Sequence, residues 1–195
     1  MRNEIVTIQS QRQLTEEIYE MVLQLPGDAG ETIQPGQFIN IRLEGQYLRR
    51  PISICDWTED TITIIYKTVG RGTEQMSRMC AGETLDILYP LGNGYDLSGT
   101  FSKPLLIGGG VGAPPMYGLC KELVSMGRKP IVLLGFGSTA DGVLRNGVQS
   151  PRRRSHHHDR RRKPRRERIC YRRDGWTRLR QPLRLRTGAY AAGSR

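Results

Sequence analysis

Acidic side chains all but vanish from the last quarter of this chain. Residues 1–141 carry 12 Lys and Arg against 16 Asp and Glu, a net of −4, whereas residues 142–195 carry 18 against 3, a net of +15. The balance of the whole, +11 with a pI near 10, is therefore a property of the tail and says nothing about the partners of the rest. Long apolar runs are missing too. No stretch approaches the roughly 20 residues of a membrane span, and no charged–apolar–small pattern of a signal peptide opens the chain, so no membrane partner is expected. Cysteine is sparse and scattered: Cys55, Cys80, Cys120 and Cys170 never take C-x-x-C spacing. They form no metal or disulfide framework, and a reducing cytoplasm fits. Cys80 and Cys120 lie in helix-like stretches and are expected to be buried apolar residues.

Lysine is nearly absent from the tail, where 17 of the 18 basic residues are Arg. A disordered arm that binds nucleic acid usually mixes Lys with Arg, and often with Ser or Gly. Here His156-His157-His158 and Trp176 are scattered among the arginines, and no apolar period of 3.6 or 2 survives. Arginine dominance is what a GC-rich gene gives when read out of frame. Back-translated and read from the second base of each codon, Gly142–Arg153 permits V-F-Y-E-M-E-F-K-A-L-G, an amphipathic helix pattern closed by glycine. Arg154–Arg161 permits the β-branched strand A-V-T-I-T-T-D, and Glu167–Gly175 permits E-N-G-F-V-T-D-G-M. Residues 142–195 are read as a basic tail produced by a frameshift at about residues 141–142. As written, the tail is expected to be disordered, holding nucleic acid only non-specifically.

What is present before the tail is ordered punctuation. Ile5–Ile8, Ile18–Leu25, Gln37–Leu43, Ile52–Asp56, Thr61–Thr68 and Thr84–Leu88 read as short strands, broken by Pro26-Gly27-Asp28, Pro35-Gly36, Glu59-Asp60 and Leu91-Gly92-Asn93-Gly94. With one brief helix near residues 73–80, this spacing favours a closed antiparallel barrel over residues 1–100. From Lys103 the pattern changes. Pro104–Ile107 is a buried strand, Gly108-Gly109-Gly110-Val111-Gly112-Ala113 a glycine loop, and Pro114 or Pro115 opens a helix stopped by Gly127. Pro130–Leu134 is a second buried strand. Residues 101–141 thus hold one βαβ unit, the start of a parallel nucleotide-binding α/β domain that the written frame does not complete.

Three barrel features point to a dinucleotide flavin. Arg50-Pro51-Ile52-Ser53 is read as a guanidinium and a hydroxyl on one strand face, the first suited to a pyrophosphate, the second to a ring or linker atom. Ile65-Tyr66-Lys67 ends a strand with an aromatic and a cation. Gly70-Arg71-Gly72-Thr73 opens the short helix, where glycine lets the backbone amides approach an anion. Singly, each has a plain structural reading as a surface charge, an outward polar residue or a turn. The glycine loop sits between strand and helix as a phosphate loop requires, but the following strand runs into Gly135-Phe136-Gly137-Ser138 without the carboxylate of a classical Rossmann fingerprint. It is closer to the G-x-G-x-A-P of ferredoxin reductases.

At Leu48–Ile54, Tyr66–Thr73, Pro90–Gly94 and Gly108–Leu119 the chain closely resembles the electron-transfer subunit of class B dihydroorotate dehydrogenase, a ferredoxin reductase-like protein. The likeness covers about residues 4–141 and continues in the shifted reading of the tail. It implies FAD held by Arg50, Pro51, Ile52, Ser53, Ile65, Tyr66, Lys67, Gly72 and Thr73, and NAD at Gly108, Gly109, Gly110 and Gly112. It also implies a heterotetramer with an FMN-containing catalytic subunit, from which electrons pass through a [2Fe–2S] cluster and FAD to NAD⁺ in pyrimidine biosynthesis. The family holds its cluster with four closely spaced cysteines near the C-terminus. They are absent here, and Cys170 cannot replace them. Electron transfer is therefore expected to be impaired. A stand-alone ferredoxin reductase-like flavin oxidoreductase is the alternative, and a nucleic-acid-binding protein a distant third.

Overall fold

The computed structural model describes residues 1–27, 29–99, 102–135, 167–172 and 175–178. Strands β1 (Arg2–Gln13), β2 (Ile18–Gln24), β3 (Phe38–Arg42), β4 (Arg50–Trp57), β5 (Thr61–Lys67) and β6 (Thr84–Leu91) close into an antiparallel barrel in the order β1-β2-β5-β4-β3-β6. Alternation by two drives the closure: Met21 and Leu23, Ile39 and Ile41, Ile62 and Ile64 all turn inward and are completely buried. Each such side chain contributes about 1.5–3 kcal/mol. All six expected strands form. β1 runs past the apolar Ile5–Ile8 stretch, because its polar second half pairs with β2 beyond a bulge between Ile8 and Ser10.

Helix α1 (Arg71–Ser77) follows β5, beginning two residues before the expected Thr73, and sinks Met76 into the barrel core. Cys80 lies past its end and is exposed, contrary to the expected burial. It belongs to the turn into β6, where its backbone N–H donates to the Glu83 carboxylate at 2.7 Å.

The βαβ unit forms as expected: β7 (Leu105–Gly109), a 3-10 turn at Gly110–Gly112, α2 (Pro115–Ser125) and β8 (Ile131–Gly135), with β7 and β8 parallel. Leu106, Val132 and Leu134 pack with Met116, Leu119 and Leu123 of α2. On the opposite face Leu105 and Ile107 remain 58% and 65% exposed. A complete doubly wound sheet would cover that face.

The tail corrects one expectation. β9 (Glu167–Arg172) runs antiparallel to β8, and β10 (Gly175–Arg178) antiparallel to β9, in the order β10-β9-β8-β7. Disorder was the expectation there. Without a partner, β8 would present a row of unpaired amides and carbonyls, and Ile169 and Tyr171 give this part of the tail strand-forming character. The expectations for residues 142–166 and 179–195 lie outside the described residues.

Helix α2 also packs against the barrel. A Cβ on Gly118 would come within 2.6 Å of the Trp57 ring and 2.8 Å of the Cys55 carbonyl oxygen, so only glycine permits this approach. Lys121 Nζ donates to Asp56 Oδ1 at 2.7 Å, and Tyr117 packs on Ile18, Cys55 and Ile65. Burial first, and the Asp56 carboxylate second, push the Cys55 thiol up, keeping it neutral within this seam.

Candidate flavin and nucleotide sites

β4 carries the first cluster. Arg50 opens the strand opposite Ile41 of β3, directly after the β3–β4 connection. Its Nη2 donates to Gln46 Oε1 at 2.8 Å and its Nη1 to the Leu48 carbonyl oxygen. Both acceptors are neutral, and among the described residues Arg50 enters no ion pair. The adjacent Arg49 differs. Its Nη2 lies 2.9 Å from Asp86 Oδ1, and its Nη1 donates to the carbonyl oxygens of Asn40 and Asp86 at 3.3 and 3.2 Å. Arg49 thus ties β3 to β6, while Arg50 keeps an uncompensated positive charge in a fixed orientation.

Gly72, in the first turn of α1, meets that guanidinium. A Cβ there would stand 2.3 Å from Arg50 Nε and 3.0 Å from its Cζ, so the glycine provides space for the arginine to lie against the helix. Thr73 is buried beside it. Its hydroxyl accepts from the Val69 N–H at 2.9 Å and donates to the Gly70 carbonyl at 3.0 Å, fixing the turn that presents Gly72. The amides of the first helical turn have no acceptor within the helix. Arg50 and the distant pair Gly72-Thr73 therefore form one cationic cradle.

The other expected residues are placed differently. Arg50 and Ser53 do not share a face, because they stand three positions apart and a strand alternates by two. Ile52 packs on the barrel core with Ile54, leaving Ser53 exposed on the outside with Pro51. Tyr66 turns inward, 1% exposed; its hydroxyl donates to Gln11 Oε1 at 3.2 Å, and its ring stacks on Tyr19. Burial, and then Tyr19, hold that hydroxyl well above the ordinary tyrosine range. Ile65 is buried in the seam with α2, and Lys67 pairs with Glu17 at 2.8 Å. Sequence reasoning missed Gln46, since a polar residue in a turn carries no pattern that marks it as an arginine's support.

In the glycine loop the residues divide their tasks. A Cβ on Gly108 would lie 2.9 Å from both the Gly112 carbonyl oxygen and Met116 Cγ, so Gly108 lets α2 close onto β7. Gly110 takes a left-handed φ of 52°, which shapes the turn. Gly109 has only an ordinary contact and Gly112 open space, which leaves room at the end of β7 for a ligand. No iron–sulfur site fits the described residues. They contain no group of three or more His, Cys, Asp or Glu placed to hold a metal, and Cys55 and Cys120 are buried in separate apolar clusters.

No family model matches the chain. Individual proteins do. The dihydroorotate dehydrogenase B (NAD(+)) electron transfer subunit of Streptococcus mutans is 44% identical over 141 residues, covering 69% of this chain and 54% of the relative. The subunit of the same name from Bacillus caldolyticus is 40% identical over 148 residues, covering 70% and 56%. Among solved structures, the NADH-dependent reduced ferredoxin-NADP oxidoreductase superposes with a TM-score of 0.65 at 28% identity, over 71% of this chain and 50% of that one. Phthalate dioxygenase reductase, at 20% identity and TM-score 0.58 over 69% and 43%, shares the fold. The chain spans about half the length of the curated relatives it matches. Over that shared part the chain is similar in sequence to the dihydroorotate dehydrogenase B electron transfer subunits, and its closed barrel followed by a parallel βαβ unit is a ferredoxin reductase-like fold.

Proposed function

We propose that the chain holds FAD on its barrel and is the flavin-bearing part of an electron-transfer subunit that serves a dihydroorotate-oxidising partner. The observation that carries this reading is the Arg50 guanidinium, without a carboxylate partner among the described residues and held by Gln46 and Leu48 against Gly72. A planar cation fixed beside the free amides of a helical turn is suited to a pyrophosphate, which can accept from both. Bound FAD would supply the exchange between two-electron hydride chemistry and single-electron transfer. The protein's own part is to orient the dinucleotide: Arg50 neutralises its charge, Gly72 permits close approach, Thr73 stiffens the turn, and Ser53 and the backbone of Ile65, Tyr66 and Lys67 remain candidates for the rest of the cofactor.

NAD is assigned to the loop at Gly108, Gly109, Gly110 and Gly112, where Gly109 and Gly112 leave the backbone accessible. The expected partner is an FMN-containing catalytic subunit, in a heterotetramer for the complete protein. The [2Fe–2S] link belongs to that complete protein and to none of the residues described here. The shares of this chain that match its relatives, 69–72%, agree with the fraction lying before the change of composition at Asp141. This supports a frameshift there, and with it the reading that residues 101–141 are the first part of a longer nucleotide-binding domain. The exposed Leu105 and Ile107 support it independently.

Calorimetric titration of the full chain with FAD and with FMN tests the flavin assignment. A cradle for a pyrophosphate should bind FAD more tightly than the monophosphate, and equal or absent binding would remove the assignment. The electron-transfer role is tested by NADH formation from dihydroorotate with the catalytic partner present. The chain as written should support none, and a gene restored in frame after Asp141 and extended downstream should restore it. Turnover by the written chain would refute the truncation, and a restored protein without iron would refute the cluster-bearing subunit.

A further inference from the structure

A glutamine on β1 sits where the barrel core meets the helix that receives Arg50. Val6 and Ile8 of β1 point inward by alternation, and the bulge between Ile8 and Ser10 resets the phase, so Gln11 turns inward next. Its amide group is used on both sides. Oε1 accepts the Tyr66 hydroxyl at 3.2 Å, and Nε2 donates to the carbonyl oxygens of Met76 at 3.1 Å and Met79 at 2.8 Å. The Met76 carbonyl closes α1, where it also accepts the Met79 N–H at 3.1 Å, and the Met79 carbonyl lies in the turn after the helix. The buried hydroxyl needs an acceptor. No other side-chain type of similar length supplies both.

We infer that Gln11 is a positioning residue for the flavin cradle, an inference that rests on the FAD reading above. α1 spans only seven residues, about 10 Å at the helical rise. One end touches Arg50 through Gly72, and the other is held by Gln11. Met76 also tethers α1 to the barrel, by an apolar contact that carries no directional hydrogen bond. Thr73 binds only its own turn, through Val69 and Gly70. The direction in which the first turn of α1 meets Arg50 is therefore set by the Gln11 amide, which is itself oriented by Tyr66. A rigid Tyr66, stacked on Tyr19, links that orientation to the barrel wall.

The test compares Gln11→Met, Tyr66→Phe and a control, Leu85→Ala, which opens a cavity in the same buried core but removes no hydrogen bond of this network. Two quantities are read on the full chain: Kd for FAD, and hydrogen-exchange protection of the amides of α1 without ligand. Gln11→Met should raise Kd about tenfold and lower α1 protection, Tyr66→Phe should do so less, and Leu85→Ala, although less stable overall, should change neither selectively. Unchanged α1 protection in Gln11→Met, or an equal loss of FAD affinity in Leu85→Ala, would overturn the inference. A wild-type chain that binds no FAD would refute the flavin reading instead, and α1 protection would still decide whether Gln11 orients the helix.

Discussion

Replacing Gly72 by Ala should separate stability from ligand affinity. The new Cβ would stand 2.3 Å from Arg50 Nε, and a guanidinium can leave where a backbone cannot. Gly72 is not in a left-handed conformation, so alanine fits the backbone and gains about 0.8–1.0 kcal/mol of helix propensity over glycine. Against this stand the displaced bonds of Arg50 to Gln46 and Leu48, each about 0.5–1.5 kcal/mol at most and less where solvent reaches them. Folding stability should therefore stay within about 1–2 kcal/mol of wild type. FAD affinity should fall much further, since a hydrogen bond to a charged group contributes about 1.5–3 kcal/mol, or roughly 10- to 150-fold. Arg50→Ala should show a loss of the same order. The double variant should be no worse than the worse single one, because both changes remove one interaction. Urea unfolding and flavin-fluorescence titration of the four proteins provide the cycle. Additive losses, or wild-type affinity in Gly72→Ala, would show that Arg50 does not work through its contact with Gly72.

Other consequences are as direct. Gly118→Val should destabilise the chain by about 1–3 kcal/mol in urea unfolding, since the added atoms meet the Trp57 ring and a Cys55 carbonyl that cannot retreat. Leu106→Ala should lose about 2–5 kcal/mol, whereas Ile107→Ser, one position on but exposed, should lose under 1 kcal/mol; equal effects would contradict the assigned faces of β7. Peptide-resolved alkylation should modify Cys80 in the folded protein and reach Cys55 only on unfolding. The raised pKa values of Cys55, Tyr66 and Tyr89 all favour the protonated form when folded, so their stabilisation is complete below the unfolded values of 9.0 and 10.0 and is lost as pH rises beyond them. A denaturation midpoint that rises from pH 9 to 11 would contradict this sign.

Most of the barrel was readable because one face of each strand is apolar and the other is not. Where that contrast failed, so did the reading. In β5 alternation places Tyr66 on the core face with Ile62 and Ile64, and the extra apolar residue on the other face, Ile65, is buried only because α2 covers it, which no pattern within β5 records. The polar end of β1 has no alternation to detect, and the bulge that turns Gln11 inward is a matter of pairing with β2. Arg50 and Gly72 were both legible as candidates, but their contact depends on how the β3–β4 connection and α1 meet. The strands of the tail form on an edge supplied by β8, which no local pattern in residues 167–178 records.

The fit of α2 onto β4 changes where this protein can be divided. A cut after residue 100, where the strand pattern gives way to the glycine loop, would strip Tyr117 and Gly118 from the barrel and bare Ile18, Cys55 and Ile65 to water. A minimal flavin-binding fragment should therefore retain the helix and end no earlier than Met126. Changes beyond this helix leave the seam intact, whereas the helix itself is part of the barrel's cover.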